Sequence, residues 1–391
     1  MKVALVHMRH AGTGGTERYL NQLATHLAER GDEVTIVCRS HESPPHPAVR
    51  FRVLRRLALG SGWRMRAFAR DAAAHVGSST YDVVYGLGKT WAQDAIRLGG
   101  GCHATYLELA HDATLSRAEG LVRKGAAKHR LALAIEERAF AWPALRAVVV
   151  NSDMVAADVV RRHGTPREKI RRIYNGVDLA RFHPRRKHAE GAELRRSCGF
   201  ASEHTVVVFL GTGYGRKGLD LVLDAAPRVF ARRKELRLLV AGYDSAQRAF
   251  EVRAAASLGE RAHFLGGRRD PENVLAAADL YVLPTRYDPF ANATLEALAS
   301  GLPVITTAQN GASELVEEGV TGSVLATPDA ELFAQALSAW TEPGRLDGAG
   351  ERARAVAERH PAEHTGAESA AVLDEVARMR VSGSAESSPP H

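Results

Sequence analysis

Short runs of apolar, β-branched residues alternate along this chain with longer stretches whose apolar positions recur every three or four residues. The first such unit runs KVALVH, then a glycine-rich turn, a helical stretch and DEVTIVCRS. The apolar face of its helical stretch is formed by Leu20, Leu23, Ala24 and Leu27. This stretch ends at Gly31, so the pattern predicts a strand, a helix and a second strand. A β-α-β unit of this kind favours a parallel sheet covered by helices on both faces.

The same alternation continues through the first half of the chain. Further strands are predicted at residues 82–88, 147–152 and 170–177, with helical stretches between them. We therefore interpret residues 1–182 as one Rossmann-like domain.

The segment 183–204, HPRRKHAEGAELRRSCGFASEH, breaks this pattern with proline, charged and polar residues, and we interpret it as a linker. The alternation restarts at TVVVFLG, which predicts a second Rossmann-like domain over residues 205–365. A C-terminal helix at 366–381 is expected to cross back to the first domain. The polar tail 382–391 is expected to be disordered. The predicted fold class is α/β, with the two domains facing each other across a deep cleft, which is the default ligand site.

The composition is that of an ordinary soluble protein, with 391 residues, 45% of them hydrophobic and 25% charged. The apolar run at the N-terminus is too short for a signal peptide, and no stretch is long enough to span a bilayer. Cys38, Cys102 and Cys198 lie far apart and lack metal-ligand spacing, which argues against a disulfide framework or a zinc site. We expect the protein in the cytoplasm.

A net charge of +7 and an isoelectric point near 9.4 point to anionic partners, such as nucleic acid, acidic lipid or phosphorylated ligands. Two basic clusters lie in the first half of the chain. They comprise Arg50, Arg52, Arg55, Arg56, Arg64 and Arg66, and then Arg117, Arg123, Lys124, Lys128 and Arg130. These clusters would suit an enzyme that binds anionic headgroups at the inner face of the cytoplasmic membrane. The alternative is that they form an ordinary solvated surface.

The turn LGTGYGRKG follows one predicted strand and opens a helix, so its backbone can approach a phosphate group. Arg216 and Lys217 add two cations there, which indicates a diphosphate ligand. GTGGTER, at residues 12–18, is the matching turn of the first domain, but its spacing is not that of a dinucleotide fingerprint. YGLGKT is not a phosphate-binding P-loop, because Val83 stands where that motif needs glycine.

The stretch YDPFANATLEALASGLPVITT combines a turn, a predicted helix at 292–299 and a β-branched strand. Glu296 lies just over one turn beyond Asn292 and faces back towards the loop that carries Asp288. Both carboxylates can therefore face the same cleft.

Four motifs together resemble the retaining glycosyltransferases of family 4, which have the GT-B fold. The motifs are NSDMV, YNGVDLARFHP, GRKGLDLVLDA and PTRYDPFANATLEALASGLPVITT. The resemblance extends over about residues 1–375 and is greatest to the lipopolysaccharide core glucosyltransferases of Gram-negative bacteria. The family signature is two glutamates separated by seven residues, and Asp288 replaces the first of them here.

The resemblance implies roles for the residues of the second domain. Glu296 would bind the ribose hydroxyls of a nucleotide, and Asp288 would hold hydroxyls of the transferred sugar. Arg216 and Lys217 would meet the diphosphate. The start of the helix would add backbone N–H groups, in the segment formed by Phe290, Ala291, Asn292 and Ala293.

Three further contacts are implied by the resemblance. Gly14 and Gly15 would bring the loop of the first domain against the phosphate and the sugar. Arg268 lies where the family places its nucleobase-contacting loop. His103 is the candidate for the polar residue beside the sugar, and we rank it above His111.

The implied activity is transfer of a hexose, with glucose the best candidate, from a UDP-sugar to a saccharide or lipid-linked acceptor held by the first domain. The implied pathway is lipopolysaccharide core or other cell-envelope glycan synthesis. No cofactor and no metal are expected, because cations and N–H dipoles can stabilise the leaving diphosphate. Retention could proceed through a covalent intermediate or by front-face attack, and both remain open.

Other functions compete with this one. A nucleotide-sugar epimerase shares the fold, and so does a phosphorylase, which would need a lysine that binds pyridoxal phosphate. A nucleic-acid binder would use the positive charge but has no need of the two carboxylates, so we expect no nucleic acid. A dehydrogenase is disfavoured because no dinucleotide fingerprint is followed by an acid at the required distance.

Overall fold

The computed structural model describes residues 1–11, 14–56, 59–110 and 126–386, with side chains up to residue 382. The chain divides into two compact units. The first unit is built mainly from residues up to 175 and from the residues after 361, and the second mainly from residues 176–361.

The first unit contains a parallel sheet of seven strands in the order β3-β2-β1-β4-β5-β6-β7. These are β1 Lys2–Val6, β2 Glu33–Cys38, β3 Arg50–Val53, β4 Val83–Gly86, β5 Ala95–Arg97, β6 Ala147–Val150 and β7 Ile170–Arg172. The predicted first β-α-β unit and the later strands are confirmed.

Helices cover both faces of this sheet. They are α1 Gly15–Glu29, α2 Ser61–Gly77, α3 His103–Leu109, α4 Ala127–Phe140 and α5 Asp153–His163, and a 3-10 turn covers Arg167–Lys169. Alternate residues of β1 point to opposite faces. Leu5 therefore packs in one core with Leu20 of α1, while Val6 packs in the other with Phe68 of α2.

The second unit contains a parallel sheet of six strands in the order β10-β9-β8-β11-β12-β13. These are β8 Thr205–Leu210, β9 Leu236–Ala241, β10 Ala262–Gly266, β11 Leu280–Leu283, β12 Val304–Thr307 and β13 Gly322–Leu325. The strand order reverses at β8, which has β9 on one side and β11 on the other. The loops after β8 and β11 leave the sheet in opposite directions, and parallel sheets bind ligands at such a switch point.

The helices of the second unit flank this sheet. They are α6 Glu190–Ser197, α7 Tyr214–Lys217, α8 Leu219–Arg232, α9 Gln247–Leu258, α10 Pro271–Ala276, α11 Asn292–Ala299, α12 Ala330–Trp340 and α13 Ala349–Ala357. Short 3-10 turns cover Pro184–His188, Gly259–Arg261 and Gly311–Leu315. The helix predicted at 292–299 is confirmed with those bounds. The predicted α/β class with two Rossmann-like domains is also confirmed.

The interpretation of residues 183–204 as a linker differs from the structure, which includes this segment in the second unit and forms α6 within it. The carboxylate of Asp279 receives hydrogen bonds from Lys187 at 2.8 Å and from Arg195 at 2.7 Å. The same carboxylate accepts the N–H of Val206 in β8 at 2.8 Å. The charged residues that made the segment resemble a linker are therefore the ones that attach it to the sheet.

The C-terminal helix, α14 Ala362–Glu386, belongs to the first unit, where Leu373 is buried in the same core as Leu20. Arg30 at the end of α1 binds Asp374 of α14 at 2.7 Å. The helix begins before the predicted position 366 and continues beyond 381, because its apolar face packs against α1. Residues 382–386 are thus helical rather than part of the expected tail, and 387–391 lie outside the described residues.

Among the helices in the described ranges, none is both long enough and apolar enough to cross a membrane.

Candidate active site

The loops after β8 and β11 bring three predicted residues together at the switch point of the second unit. Lys217 Nζ and Arg216 Nη1, both on α7, donate hydrogen bonds to the same oxygen, Oδ2 of Asp288. The distance from Arg216 is 3.2 Å. Arg216 also donates to the carbonyl of Tyr287 at 2.9 Å, so its guanidinium is fixed in this position. One carboxylate oxygen therefore holds two cations in place.

Burial and charge act in opposite directions on this group. Burial alone would raise the pKa of Asp288, but Lys217 and Arg216 outweigh it, and the net pKa is lowered. Lys217 is only 8% exposed. Its burial lowers the pKa of the ammonium group, and the charge of Asp288 opposes this effect. The geometry therefore keeps Asp288 ionised and presents two cations that an incoming anion can share.

Two glycines permit the close approach of the loops around this cluster. A Cβ atom at Gly218, where φ is +82°, would lie 2.1 Å from the carbonyl oxygen of Pro284. A Cβ atom at Gly242 would lie 1.9 Å from the carbonyl oxygen of Gly211. Only glycine fits at either position, since real Cβ atoms do not approach a carbonyl so closely.

Asn310, which sequence reasoning missed, organises the second half of the site. It is fully buried in the loop after β12. Its Oδ1 accepts the N–H groups of Ala291 and Ala312, each at 3.1 Å. Its Nδ2 donates to the hydroxyls of Thr294 at 2.9 Å and Thr306 at 3.0 Å. A turn-forming asparagine that directly follows a predicted strand, in TTAQNG, was the available signal.

Two of the predicted backbone donors are used within the protein. The N–H of Phe290 donates to Oδ1 of Asp288 at 3.1 Å, and the N–H of Ala291 donates to Asn310. The loop closes on itself through these bonds, and the role of these donors at a diphosphate stays a prediction. Asn292 and Ala293 are the first two residues of α11 and are half-buried.

Glu296 lies in the middle of α11 and is 7% exposed. Burial raises the pKa of the Tyr281 hydroxyl, and the carboxylates of Glu296 and Asp288 raise it further. Both carboxylates therefore lie within electrostatic range of one buried phenol. That both carboxylates face the same cleft stays a prediction.

Arg268 and Tyr243 follow two neighbouring strands of the same sheet, β10 and β9. Arg268 follows β10 and is held by Asp270 through bonds of 2.9 and 2.6 Å. Tyr243 follows β9, is exposed and was not singled out from the sequence. Its carbonyl accepts the N–H of Gly213 at 2.9 Å, which ties it to the loop of the cation pair.

The remaining predicted residues belong to the first unit. Gly14 precedes α1 with φ of +116°, and Gly15 begins that helix. His103 begins α3, and its Nε2 lies 3.0 Å from Nδ1 of His129. Burial, followed by the charge of Lys89, lowers the pKa of His103 to about 4, so its imidazole is neutral at neutral pH. His111 lies outside the described residues.

One cluster in the first unit has the composition of a metal site. Cys102, Glu136 and His163 each place one ligand atom within 4.8 Å of the others. The Glu136 carboxylate accepts the N–H of His103 at 3.1 Å and lies 3.4 Å from His163. Burial keeps the pKa of the Cys102 thiol well above its usual range. The Glu136 carboxylate is thus engaged within the protein, and the expectation that the enzyme needs no metal stays a prediction.

Two family models match this chain. The one described as Glycosyltransferase Family 4 matches residues 13–181, and the one described as Glycosyl transferases group 1 matches residues 204–342. Together they cover most of both units.

Individual relatives agree with these matches. The chain is 26% identical over 364 residues to the lipopolysaccharide glucosyltransferase WaaG of Escherichia coli strain K12, with 88% of this chain and 93% of the relative covered. It is 30% identical over 345 residues to the D-inositol 3-phosphate glycosyltransferase of Mycobacterium sp. strain KMS, with 80% and 74% covered.

Solved structures share the fold. The crystal structure of WaaG matches with a TM-score of 0.79 at 22% identity, over 95% of this chain and 99% of that one. The structure of Anabaena Alr3699/HepE in complex with UDP and glucose matches with a TM-score of 0.68 at 19% identity, over 96% and 99%.

We expect Asn310→Asp to destabilise the second unit by about 2 to 4 kcal/mol, because the new carboxylate cannot donate to the two threonine hydroxyls. The hydroxyl of Thr306 already donates to the carbonyl of Leu283, so its lone pairs would face the carboxylate. Urea denaturation followed by circular dichroism measures this change. Gln309→Glu, the same substitution one residue earlier, is the matched control and should cost far less. Equal losses in both variants would contradict the role of Asn310.

Proposed function

This chain belongs to the glycosyltransferases of family 4, and from that premise we propose that it is a retaining hexosyltransferase that uses a UDP-sugar. The observation that carries the proposal is the pair of cations around Asp288 at the switch point, with Glu296 within electrostatic range of the same buried Tyr281 as Asp288. WaaG is a lipopolysaccharide glucosyltransferase, and HepE was solved with UDP and glucose, which supports UDP-glucose as donor. The acceptor is a saccharide or a lipid-linked saccharide of the cell envelope.

The cation pair suits the leaving group of this reaction. Breaking a sugar–diphosphate bond places positive charge on the sugar ring and negative charge on UDP. Lys217 and Arg216 are already oriented, so they stabilise the growing negative charge without reorganisation. The two cations share one carboxylate, so the cluster keeps a net positive charge that attracts the diphosphate, and we expect the reaction to need no metal ion.

The contacts of Asp288 favour front-face attack over a covalent intermediate. Its Oδ2 accepts hydrogen bonds from two cations, and these lower the pKa of the carboxyl group. A carboxylate held in this way is a weak nucleophile, since its lone pairs are engaged. In the reaction that we propose, the bond from the anomeric carbon to UDP breaks. The acceptor oxygen then bonds to the same face of the sugar, and its proton passes to a phosphate oxygen of UDP. Asp288 positions the cations and accepts a hydrogen bond from a hydroxyl of the sugar.

The first unit offers a surface for an anionic membrane. Leu59 is 92% exposed and Trp63 is 59% exposed, and the exposed Arg64 and Arg66 lie beside them. The guanidinium of Arg66 lies 5.7 Å from the ring centre of Trp63. An amphipathic aromatic side chain among cations suits the headgroup region of a bilayer. In the second basic cluster, Arg117, Arg123 and Lys124 lie outside the described residues. We propose peripheral association with the inner face of the cytoplasmic membrane.

Glu296→Ala should weaken UDP binding by about 1 to 3 kcal/mol, because the ribose hydroxyls lose a buried acceptor. Isothermal titration calorimetry with UDP measures the effect. Glu317→Ala removes an exposed acid of the same unit and serves as the control. Unchanged UDP affinity in the Glu296 variant would mean that the ribose assignment is wrong.

Lys217→Met and Arg216→Met should each lower kcat by about 10²-fold or more, because the charge that they meet grows in the transition state. Steady-state transfer or hydrolysis of UDP-glucose provides the measurement. Lys234→Met removes an exposed cation of the second unit and should leave kcat unchanged. A chelator should have little effect on the parent enzyme. If both variants turn over at the parent rate, the proposed role of these two cations at the diphosphate is wrong.

Full-length protein should sediment with anionic vesicles but not with neutral ones, and the binding should fade as salt is added. Each cation near the surface contributes about 1 kcal/mol. A variant with Arg55, Arg64 and Arg66 changed to Ser should bind less, and Trp63→Ala should weaken binding further. The control changes three exposed arginines of the second unit to Ser, namely Arg228, Arg232 and Arg248. Equal pelleting of all variants on both kinds of vesicle would remove the membrane proposal.

A further inference from the structure

A separate cavity of about 330 Å³ lies within the first unit, at the carboxyl ends of β4 and β5. Its polar lining includes His7, Lys89, Thr90, Arg97, His103 and Glu136. All of these residues belong to the first unit.

Arg97 is the deepest cation of this cavity and is 4% exposed. Its Nη2 donates to Oδ1 of Asn175 at 2.6 Å, and its guanidinium stacks 3.5 Å from the ring centre of Tyr19. Its Nη1 is buried and has no hydrogen-bond partner among the described residues. A guanidinium stays charged, so an unmatched buried N–H is costly unless a ligand accepts from it.

The loop between β4 and β5 adds a second cation and an unmatched hydroxyl. Within the described ranges, Lys89 is the only residue other than glycine with positive φ, at +62°. Such a conformation costs on the order of 1 kcal/mol or more, and residues that adopt it cluster at active sites and ligand clamps. Thr90, the next residue, is buried, and its Oγ1 has no partner among the described residues.

The charges that line the cavity sum to one positive charge. Lys89 and Arg97 are opposed by a single carboxylate, Glu136, which already accepts the N–H of His103. Burial lowers the pKa of His7 and of His103, so both imidazoles are neutral at neutral pH. An anionic ligand group with several oxygen acceptors matches this lining.

We propose that this cavity binds an oxyanion, a phosphate monoester or a carboxylate, carried by the acceptor saccharide. The proposal rests on the proposed function and narrows its acceptor to an anionic sugar. The oxyanion accepts hydrogen bonds from Arg97 Nη1, Lys89 Nζ and Thr90 Oγ1. Neutral hydroxyls of the saccharide occupy the remaining space.

Calorimetry with the full-length protein tests this. The probes are glucose 6-phosphate, glucuronate, glucose and inorganic phosphate. We expect one or both of the anionic sugars to bind at least tenfold more tightly than glucose. Lys89→Met should weaken that binding at least tenfold, and Thr90→Val about threefold. Arg70→Met removes an exposed cation of the same unit and should leave it unchanged.

Three results would overturn the proposal. The first is equal affinity for glucose and both anionic sugars, and the second is equal affinity in the Lys89, Thr90 and Arg70 variants. The third is inorganic phosphate binding as tightly as glucose 6-phosphate, which would indicate a site for free phosphate. Thr90→Val differs little in size from the parent and keeps the test valid if Lys89→Met does not fold.

UDP titration of the same proteins separates this proposal from the proposed function. Normal UDP affinity with no selectivity for anionic sugars would refute the anionic acceptor alone. If the parent enzyme does not bind UDP, the nucleotide-sugar function itself is refuted.

Discussion

The hydrogen bonds from Lys217 and Arg216 to a single oxygen of Asp288 are the interaction on which the site depends. They join the loop after β8 to the loop after β11, and they keep two cations close together that would otherwise repel each other. Removing water from an ion pair is costly, and attraction repays that cost only when the geometry is good. Here the geometry comes from the backbone, because Gly218 lets α7 approach the strand that leads to Asp288. Sheet topology, the glycine and the charges together thus determine where the two cations and the carboxylate lie.

Parallel topology also explains why each unit has a polar site at the same edge of its sheet. In both sheets the strand order reverses beside the first strand of the unit, and the following loops separate there. In the second unit, two cations at this position donate hydrogen bonds to the carboxylate of Asp288. The first unit leaves buried donors unmatched around a cavity. The same architecture therefore supports two different chemistries, and the loop residues decide which one is present.

Much of the fold could be predicted from the sequence, because parallel strands that are buried on both faces appear as continuous apolar runs. The helix at 292–299 and the strands around it followed from local pattern alone. The segment 183–204 was misjudged because a sequence does not show that Asp279, far along the chain, neutralises its cations. Asn310 was missed for a similar reason, since its four partners meet only in the folded chain. The pairing of Asp288 with both cations could not be predicted from the sequence either, because it depends on the position of the carboxylate in the folded chain.

The C-terminal helix has a consequence for the order in which the protein is made. The residues of α14 cover Leu20 and its neighbours on α1, yet they are synthesised after the whole of the second unit. While the ribosome makes residues 176–361, α14 does not yet exist to cover this apolar face of the nascent first unit. Domains generally fold as units during synthesis, and uncovered apolar surface promotes aggregation. The first unit to emerge is therefore the last to be finished.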